Sequence, residues 1–291
     1  MLTSSQSPGA LPLSDDTFEE TRPSTARRAN SERRRLRRDL EAALAQQGFV
    51  LHYQPRLSLG TGAMLGAEAL IRWNHPRQGL VSPAQFIPLA EESGLITEIG
   101  GWVLTQACTE AARWPGTTFV SVNVSARQLQ DGALLRQVAQ ALMESDLLPE
   151  RLEIELTETM LVDASLDTIL TLSAIRDLGV GIALDDFGTG FASLSGLKRL
   201  PLTAMKLDRS MVRTLPEDRE DSAIARAIIQ TGHALGLQVV AEGIETEAQR
   251  GFLAGCGCNE GQGFLFSRPV PAVQITGQLR GSAPLIGMLG L

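Results

Sequence analysis

The segment Ala183–Leu194 reads ALDDFGTGFASL: an apolar run closes on Asp185 and Asp186 and passes into Gly188 and Gly190. Adjacent carboxylates repel, so they either diverge into water or share a cation. Elsewhere, Glu68, Asn123, Glu155, Lys206, Glu242 and Gln262 each fall near the end of an apolar stretch, and Arg72 lies four residues beyond Glu68. With the Asp pair, the set holds five carboxylates and one amide oxygen from Asn123. Hard oxygen donors of this kind suit Mg²⁺ or Mn²⁺. One bridging carboxylate can hold two such ions ~3.5–4 Å apart, a spacing that serves phosphoryl hydrolysis. Arg72 and Lys206 then suit contacts to phosphate or to a reacting water. Cations in the site would reverse its sign and admit an anionic substrate.

The elements that must position these groups follow from the pattern. Apolar, β-branched runs predict strands at 50–55, 64–73, 119–124, 152–157, 180–185, 202–207, 238–242 and 259–264. Helical spacing fills most gaps, near 83–93, 97–113, 132–145, 165–178, 191–199, 220–235 and 246–254. Alternation over about 240 residues predicts a (β/α)8 barrel. The alternative, an open doubly wound sheet, lacks a glycine-rich nucleotide loop after its first strand.

Strand phase sorts the residues. Side chains alternate between faces, so Val120, Val122 and Val124 oppose Ser121 and Asn123, and Leu152, Ile154 and Leu156 oppose Glu153 and Glu155. Lys206 and Asp208 likewise oppose Met205 and Leu207. One face packs under helices, and the other carries polar groups toward the strands' C-terminal ends, where barrel active sites lie. Asp185 shares the inward phase of Gly181 and Ala183, and Gly188 and Gly190 are expected to turn the chain so that Asp186 faces the same point. Glu153 is expected in a buried or rim ion pair. Asn74–Pro76 reads as a loop, and His52, His75 and His233 lack ligand spacing.

Composition excludes several classes. Of 291 residues, 43% are hydrophobic and 20% charged, as in ordinary globular proteins. No apolar run reaches the roughly 18 residues of a membrane span, and no secretory signal is apparent. Three sparse cysteines, Cys108, Cys256 and Cys258, suggest reduced thiols in the cytoplasm, and no second Cys/His pair completes a zinc site. Residues 1–40 hold eight Arg against six acids, a net of +2; the total is −7, so the remainder carries −9. An acidic body argues against a nucleic-acid duplex as ligand. Residues 1–30, rich in Ser, Thr and Pro, read as a disordered tail or linker, followed by a helix from Ser31. The main domain is expected at 31–280 and a C-terminal tail at 281–291.

The motifs YQP (53–55), EALIRW (68–73), NVS (123–125), ELTE (155–158), DDFGTGFASL (185–194), MKLD (205–208), AEGIE (241–245) and QGF (262–264) together resemble the EAL-domain phosphodiesterases, which hydrolyse cyclic di-GMP. The resemblance covers roughly residues 33–273. It implies a TIM-like barrel whose first strand runs antiparallel to the rest. It implies that Glu68, Asn123, Glu155 and Asp185 hold one Mg²⁺ or Mn²⁺. Asp185 would bridge to a second ion held with Asp186 and Glu242, and Ca²⁺ would inhibit. Lys206 matches a residue acting on the attacking water, and Glu242 is also a general-base position. Gln54 and Arg72 match substrate contacts, Gln262 a glutamine of the site, and Glu158 an anchor for the DDFGTG loop, a segment tied to dimerisation. The implied product is linear pGpG, the implied assembly a homodimer, and the basic helix resembles a connector from an upstream sensor or cyclase domain absent from this chain. A receptor that binds the dinucleotide without cutting it is the alternative. Arg56 and Glu260 depart from the pattern and are expected to touch no predicted metal ligand.

Overall fold

In the computed structural model, residues 25–161, 164–188 and 194–281 are described. Ten strands form: β1 (Phe49–Ser58), β2 (Met64–His75), β3 (Gly79–Val81), β4 (Phe119–Asn123), β5 (Leu152–Thr157), β6 (Gly181–Phe187), β7 (Ala204–Leu207), β8 (Gln238–Ala241), β9 (Glu260–Gly261) and β10 (Val270–Pro271). Eight close into a barrel in the order β1-β2-β4-β5-β6-β7-β8-β9, with β9 returning to β1. β1 is antiparallel to both neighbours, while β2 and β4 through β9 run parallel. The fold is the expected TIM-like barrel with an inverted first strand.

The surrounding helices are α1 (Thr25–Ala45), α2 (Pro83–Ser93), α3 (Ile96–Ala111), α4 (Ala126–Gln130), α5 (Leu134–Ser145), α6 (Glu158–Leu161), α7 (Leu166–Asp177), α8 (Leu194–Leu197), α9 (Arg209–Val212), α10 (Arg219–Ala234), α11 (Glu247–Gly255) and α12 (Ala272–Gly281). Several starts have clear local causes. Ser125 with Gln128, and Thr246 with Gln249, form reciprocal capping boxes for α4 and α11. The Asp218 carboxylate accepts from Glu220 N and Asp221 N to begin α10. Under these helices Val120, Val122, Ile154, Leu156, Ile182, Leu184, Met205, Leu207 and Val239 are buried, as strand phase requires.

Differences from the sequence reading are local. The expected strand at 202–207 begins only at Ala204, because Thr203 Oγ1 takes the Ile182 N–H (2.8 Å) that a longer ladder would use. Asn74 and His75 are not loop residues; they end β2 and pair with β3, and His75 Nδ1 accepts from the N–H groups of Arg77 and Gln78 to fix the turn. Helix α1 starts at Thr25, six residues ahead of the expected start. Residues 1–24 and 282–291, most of the expected tails, lie outside the described residues, as do 189–193 of the DDFGTGFASL stretch. No described helix is long and apolar enough to cross a membrane.

Candidate active site

Lys206 sits at the centre of the polar set. Its side chain is fully buried, and Nζ lies 2.6 Å from Glu155 Oε2, 2.6 Å from Glu242 Oε1, 3.2 Å from Asp185 Oδ1 and 3.7 Å from Glu68 Oε2. These residues come from five strands or strand ends, β7, β5, β8, β6 and β2, and converge because each occupies an inward phase. Glu68 is further held by Asn123 Nδ2 (2.6 Å) and Gln262 Nε2 (2.6 Å), and Gln262 also reaches Glu242 Oε1 (3.2 Å).

Asp186 joins by a backbone device. The β6–β7 register shifts between Leu184 and Phe187, and Asp186 adopts φ 56°, a left-handed conformation that Asp tolerates better than most residues. Asp186 N donates to Asp185 Oδ1 (2.9 Å). Expectation had given this turn to the glycines; Asp186 itself makes it, with Gly188 (φ 100°) following, and Gly190 lies outside the described residues. One oxygen each of Asp185, Asp186 and Glu242 then lies within 4.8 Å of the others. At that separation two full charges repel by roughly 3–4 kcal/mol at an effective dielectric of 20.

The electrostatics show what such crowding does. Burial and the Glu68 carboxylate push Glu155 well above the ordinary carboxylate range, against the opposing pull of Lys206. Burial, with Asp185 adding to it, pushes Glu242 up to about 7. Burial and Asp185 raise Asp186 as well. Glu68 is lowered: burial acts upward, but Lys206 and the amides of Gln262 and Asn123 outweigh it. Lys206 is raised well above the usual lysine range, since its four carboxylates outweigh its burial. Fully ionised, the five carboxylates and one ammonium carry a net −4, which two divalent cations would balance. Glu155 Oε1 and Gln262 Oε1 are buried oxygens with no hydrogen-bond donor. Glu155 Oε1 faces Arg56 below it; the all-oxygen donor set and its surplus negative charge are what fit divalent metal.

The other expected residues lie around this centre. Gln54, opposite Glu68 in the β1–β2 register, donates Nε2 to Ser267 O (3.1 Å). Arg72 is half-buried; Nη1 donates to Ile71 O (2.9 Å), and the guanidinium pairs with no carboxylate among the described residues. Glu158 Oε2 accepts from Gly188 N (3.2 Å), tying α6 to the end of β6. Asp208 caps α9 through Ser210 N (2.9 Å). Beside Asn123 opens a largely apolar cavity of about 440 Å³, lined among others by Leu70, Ile71, Ile87, Thr157 and Met160. A larger one of about 560 Å³ lies between α1 and α2 and meets none of the five carboxylates.

Sequence reasoning did not join Arg56, Glu153 and Glu260 into the layer beneath. Arg56, 1% exposed, donates Nε and Nη2 to Glu260 Oε2 (3.1 and 2.8 Å) and Nη1 to Glu153 Oε1. Its Nη1 is also 3.6 Å from Glu155 Oε1, which corrects the expectation that Arg56 touches no predicted metal ligand. Glu153 forms the ion pair expected of it. The missed signal was parity: Arg56, Glu153 and Glu260 stand two residues from Gln54, Glu155 and Gln262, and so share their inward face.

Comparison with known proteins follows the same residues. The family profile described as "EAL domain" matches residues 37–269. The bifunctional diguanylate cyclase/cyclic di-GMP phosphodiesterase MucR of Pseudomonas aeruginosa is 47% identical over 248 residues, 84% of this chain and 36% of that protein. Cyclic di-GMP phosphodiesterase PA2567 of the same organism is 41% identical over 244 residues, 82% of this chain and 41% of that protein. A solved structure described as PaMucR phosphodiesterase in complex with c-di-GMP superposes with a TM-score of 0.79 at 45% identity, covering 83% of this chain and 99% of that one. The chain thus spans well under half the length of the curated relatives it matches.

Proposed function

Since the chain belongs to the EAL domain family, we propose that it is a metal-dependent phosphodiesterase that hydrolyses cyclic di-GMP to linear pGpG. The observation that carries this reading is the convergence of Glu68, Glu155, Asp185 and Glu242 on one buried ammonium, with Asp186 brought beside Asp185 and Glu242, and a surplus charge of −4. Glu68, Asn123, Glu155 and Asp185 would hold one Mg²⁺ or Mn²⁺; Asp185, Asp186 and Glu242 would hold a second. When bound, such ions lower the pKa of a shared water and stabilise charge on a phosphoryl oxygen.

The chain's own groups supply the rest. Lys206, hydrogen-bonded to Glu155 and touching Glu242, is placed to orient the attacking water. Glu242, 2.6 Å from Lys206 Nζ and beside Asp185, offers a carboxylate that can accept the proton of the attacking water. Arg72 offers a cation to a phosphate of the substrate, and Gln54 and Gln262 offer amides. One water adds across one of the two phosphodiester bonds: its oxygen joins phosphorus, the ribose oxygen leaves with a proton, and the ring opens. A homodimer, and a sensor or cyclase domain upstream, complete the reading; the greater length of the relatives supports the second.

The test is incubation of purified protein and cyclic di-GMP with Mg²⁺ or Mn²⁺, with EDTA and Ca²⁺ as controls. Metal-dependent pGpG is the expected result. Ca²⁺ should bind without supporting turnover, because it prefers longer bonds and more ligands. Tight binding without product would make the domain a receptor, and neither binding nor product would overturn the ligand assignment.

A further inference from the structure

We propose that Arg56 is a positioning residue that holds the Glu155 carboxylate from beneath, so that one oxygen alone is presented to the metal site. The proposal rests on the reading of Glu155 as a metal ligand. The two Glu155 oxygens have different surroundings: Oε2 meets Lys206 Nζ at 2.6 Å, while Oε1 has no hydrogen-bond donor and faces Arg56 Nη1 at 3.6 Å. Arg56 is itself immobilised. Glu260 takes Nε and Nη2, Glu153 takes Nη1, and the guanidinium lies 4.7 Å from the Phe119 ring centroid. The packing beneath that ring is tight, since a Cβ on Gly66 would lie 2.6 Å from Phe119 O and 2.8 Å from its ring. The result is a fixed positive charge one layer below Glu155.

Barrel floors are ordinarily filled by apolar side chains, and an apolar set can be as stable as buried charges. Neutralising Glu153 and Glu260 therefore does not by itself account for an arginine here. Without it, the one cation beside Glu155 would be Lys206, against repulsion from Glu68 and Asp185, and the carboxylate would be free to rotate toward the ammonium. Arg56 counters that rotation. Residues that orient metal ligands in this way typically change metal affinity 10–100-fold when removed.

The test is Mn²⁺ binding to the purified chain, followed by the electron paramagnetic resonance of free Mn²⁺, with steady-state kinetics on cyclic di-GMP alongside. Arg56→Met is expected to weaken Mn²⁺ binding roughly 10–100-fold, lowering kcat at a fixed Mn²⁺ concentration while leaving KM unchanged. Arg56→Lys should recover most of the affinity. Arg56→Met strands two buried carboxylates, so a triple variant with Glu153→Gln and Glu260→Gln removes the stranded charge and secures a folded protein. If Arg56 positions Glu155, the triple variant still binds Mn²⁺ weakly. If it returns to wild-type affinity, or if folded Arg56→Met binds like wild type, Arg56 only neutralises its neighbours and the proposal is overturned. Wild-type protein that binds no Mn²⁺ would instead sink the metal-site reading on which the proposal rests.

Discussion

Replacing Lys206 by Met separates what this ammonium does for the fold from what it does for chemistry. Four carboxylate oxygens lie within 3.7 Å of Nζ, at no solvent exposure. Removing one partner from a buried charge set costs about 3–5 kcal/mol, and a domain of this size loses roughly 2–4 °C of Tm per kcal/mol. The variant should therefore melt roughly 6–20 °C below wild type in EDTA at pH 8. Because the Lys206 pKa is raised, its contribution is fully present below the ordinary lysine value and is lost only as pH rises beyond it. It is thus in full force across the working range. Mn²⁺ should behave oppositely. Without the ammonium the ionised site carries −5 instead of −4, so the variant should bind Mn²⁺ at least as tightly as wild type and recover most of its Tm. Turnover of cyclic di-GMP should nonetheless fall by about 10²-fold or more, the scale of a lost proton-handling or water-orienting group. Thermal melts with and without Mn²⁺, paired with a product assay, check all three. An unchanged Tm in EDTA would refute the claim that Lys206 neutralises the metal-free site. Loss of Mn²⁺ binding would show that it organises the ligands.

Two further perturbations probe single ligands. Glu68→Gln should weaken Mn²⁺ binding and remove pGpG formation, because its new amide would face the donors Asn123 Nδ2 and Gln262 Nε2; retained turnover would break the assignment. Glu242 is raised from 4.5 to about 7, so the stability it contributes is present below pH 4.5 and is lost as pH rises through about 7. In EDTA at pH 8, Glu242→Gln should accordingly be the more stable protein by up to about 3 kcal/mol, converging with wild type near pH 5. Denaturant melts at the two pH values measure this, and a wild-type advantage at pH 8 would contradict it. With Mn²⁺ the order should reverse, since a ligand is missing.

The barrel was legible because alternation separates buried Leu152, Ile154 and Leu156 from Glu153 and Glu155 in β5, Val120 and Val122 from Ser121 and Asn123 in β4, and Met205 and Leu207 from Lys206 in β7. Glu155 and Lys206 meet on that inward side for the same reason, with Asn123 reaching Glu68 beside them. What stayed hidden lacked a period. Strand β3 has three residues and β10 has two, too short to alternate. Helix α12 buries Ile275 and Leu279 while Val273 is 86% exposed, so it shows one i,i+4 pair and no stripe. The turn at Asp186 depends on a register shift between β6 and β7, a relation between strands that neither segment carries alone. The Arg56 layer was only partly legible: Glu153 was expected in an ion pair and Arg56 and Glu260 stood out as departures, but their shared parity did not join them. Its residues belong to no motif, and its meaning appears only when β1, β5 and β9 are brought side by side.

The central claim is that this carboxylate cluster is a two-metal centre, and Mn²⁺ stoichiometry tests it most directly. Titration of the EDTA-treated, desalted protein should show two ions per chain, falling to one in Asp186→Asn, which removes a ligand of the second ion alone. Wild-type protein that binds no ion, or a single ion unaffected by Asp186→Asn, would contradict the account.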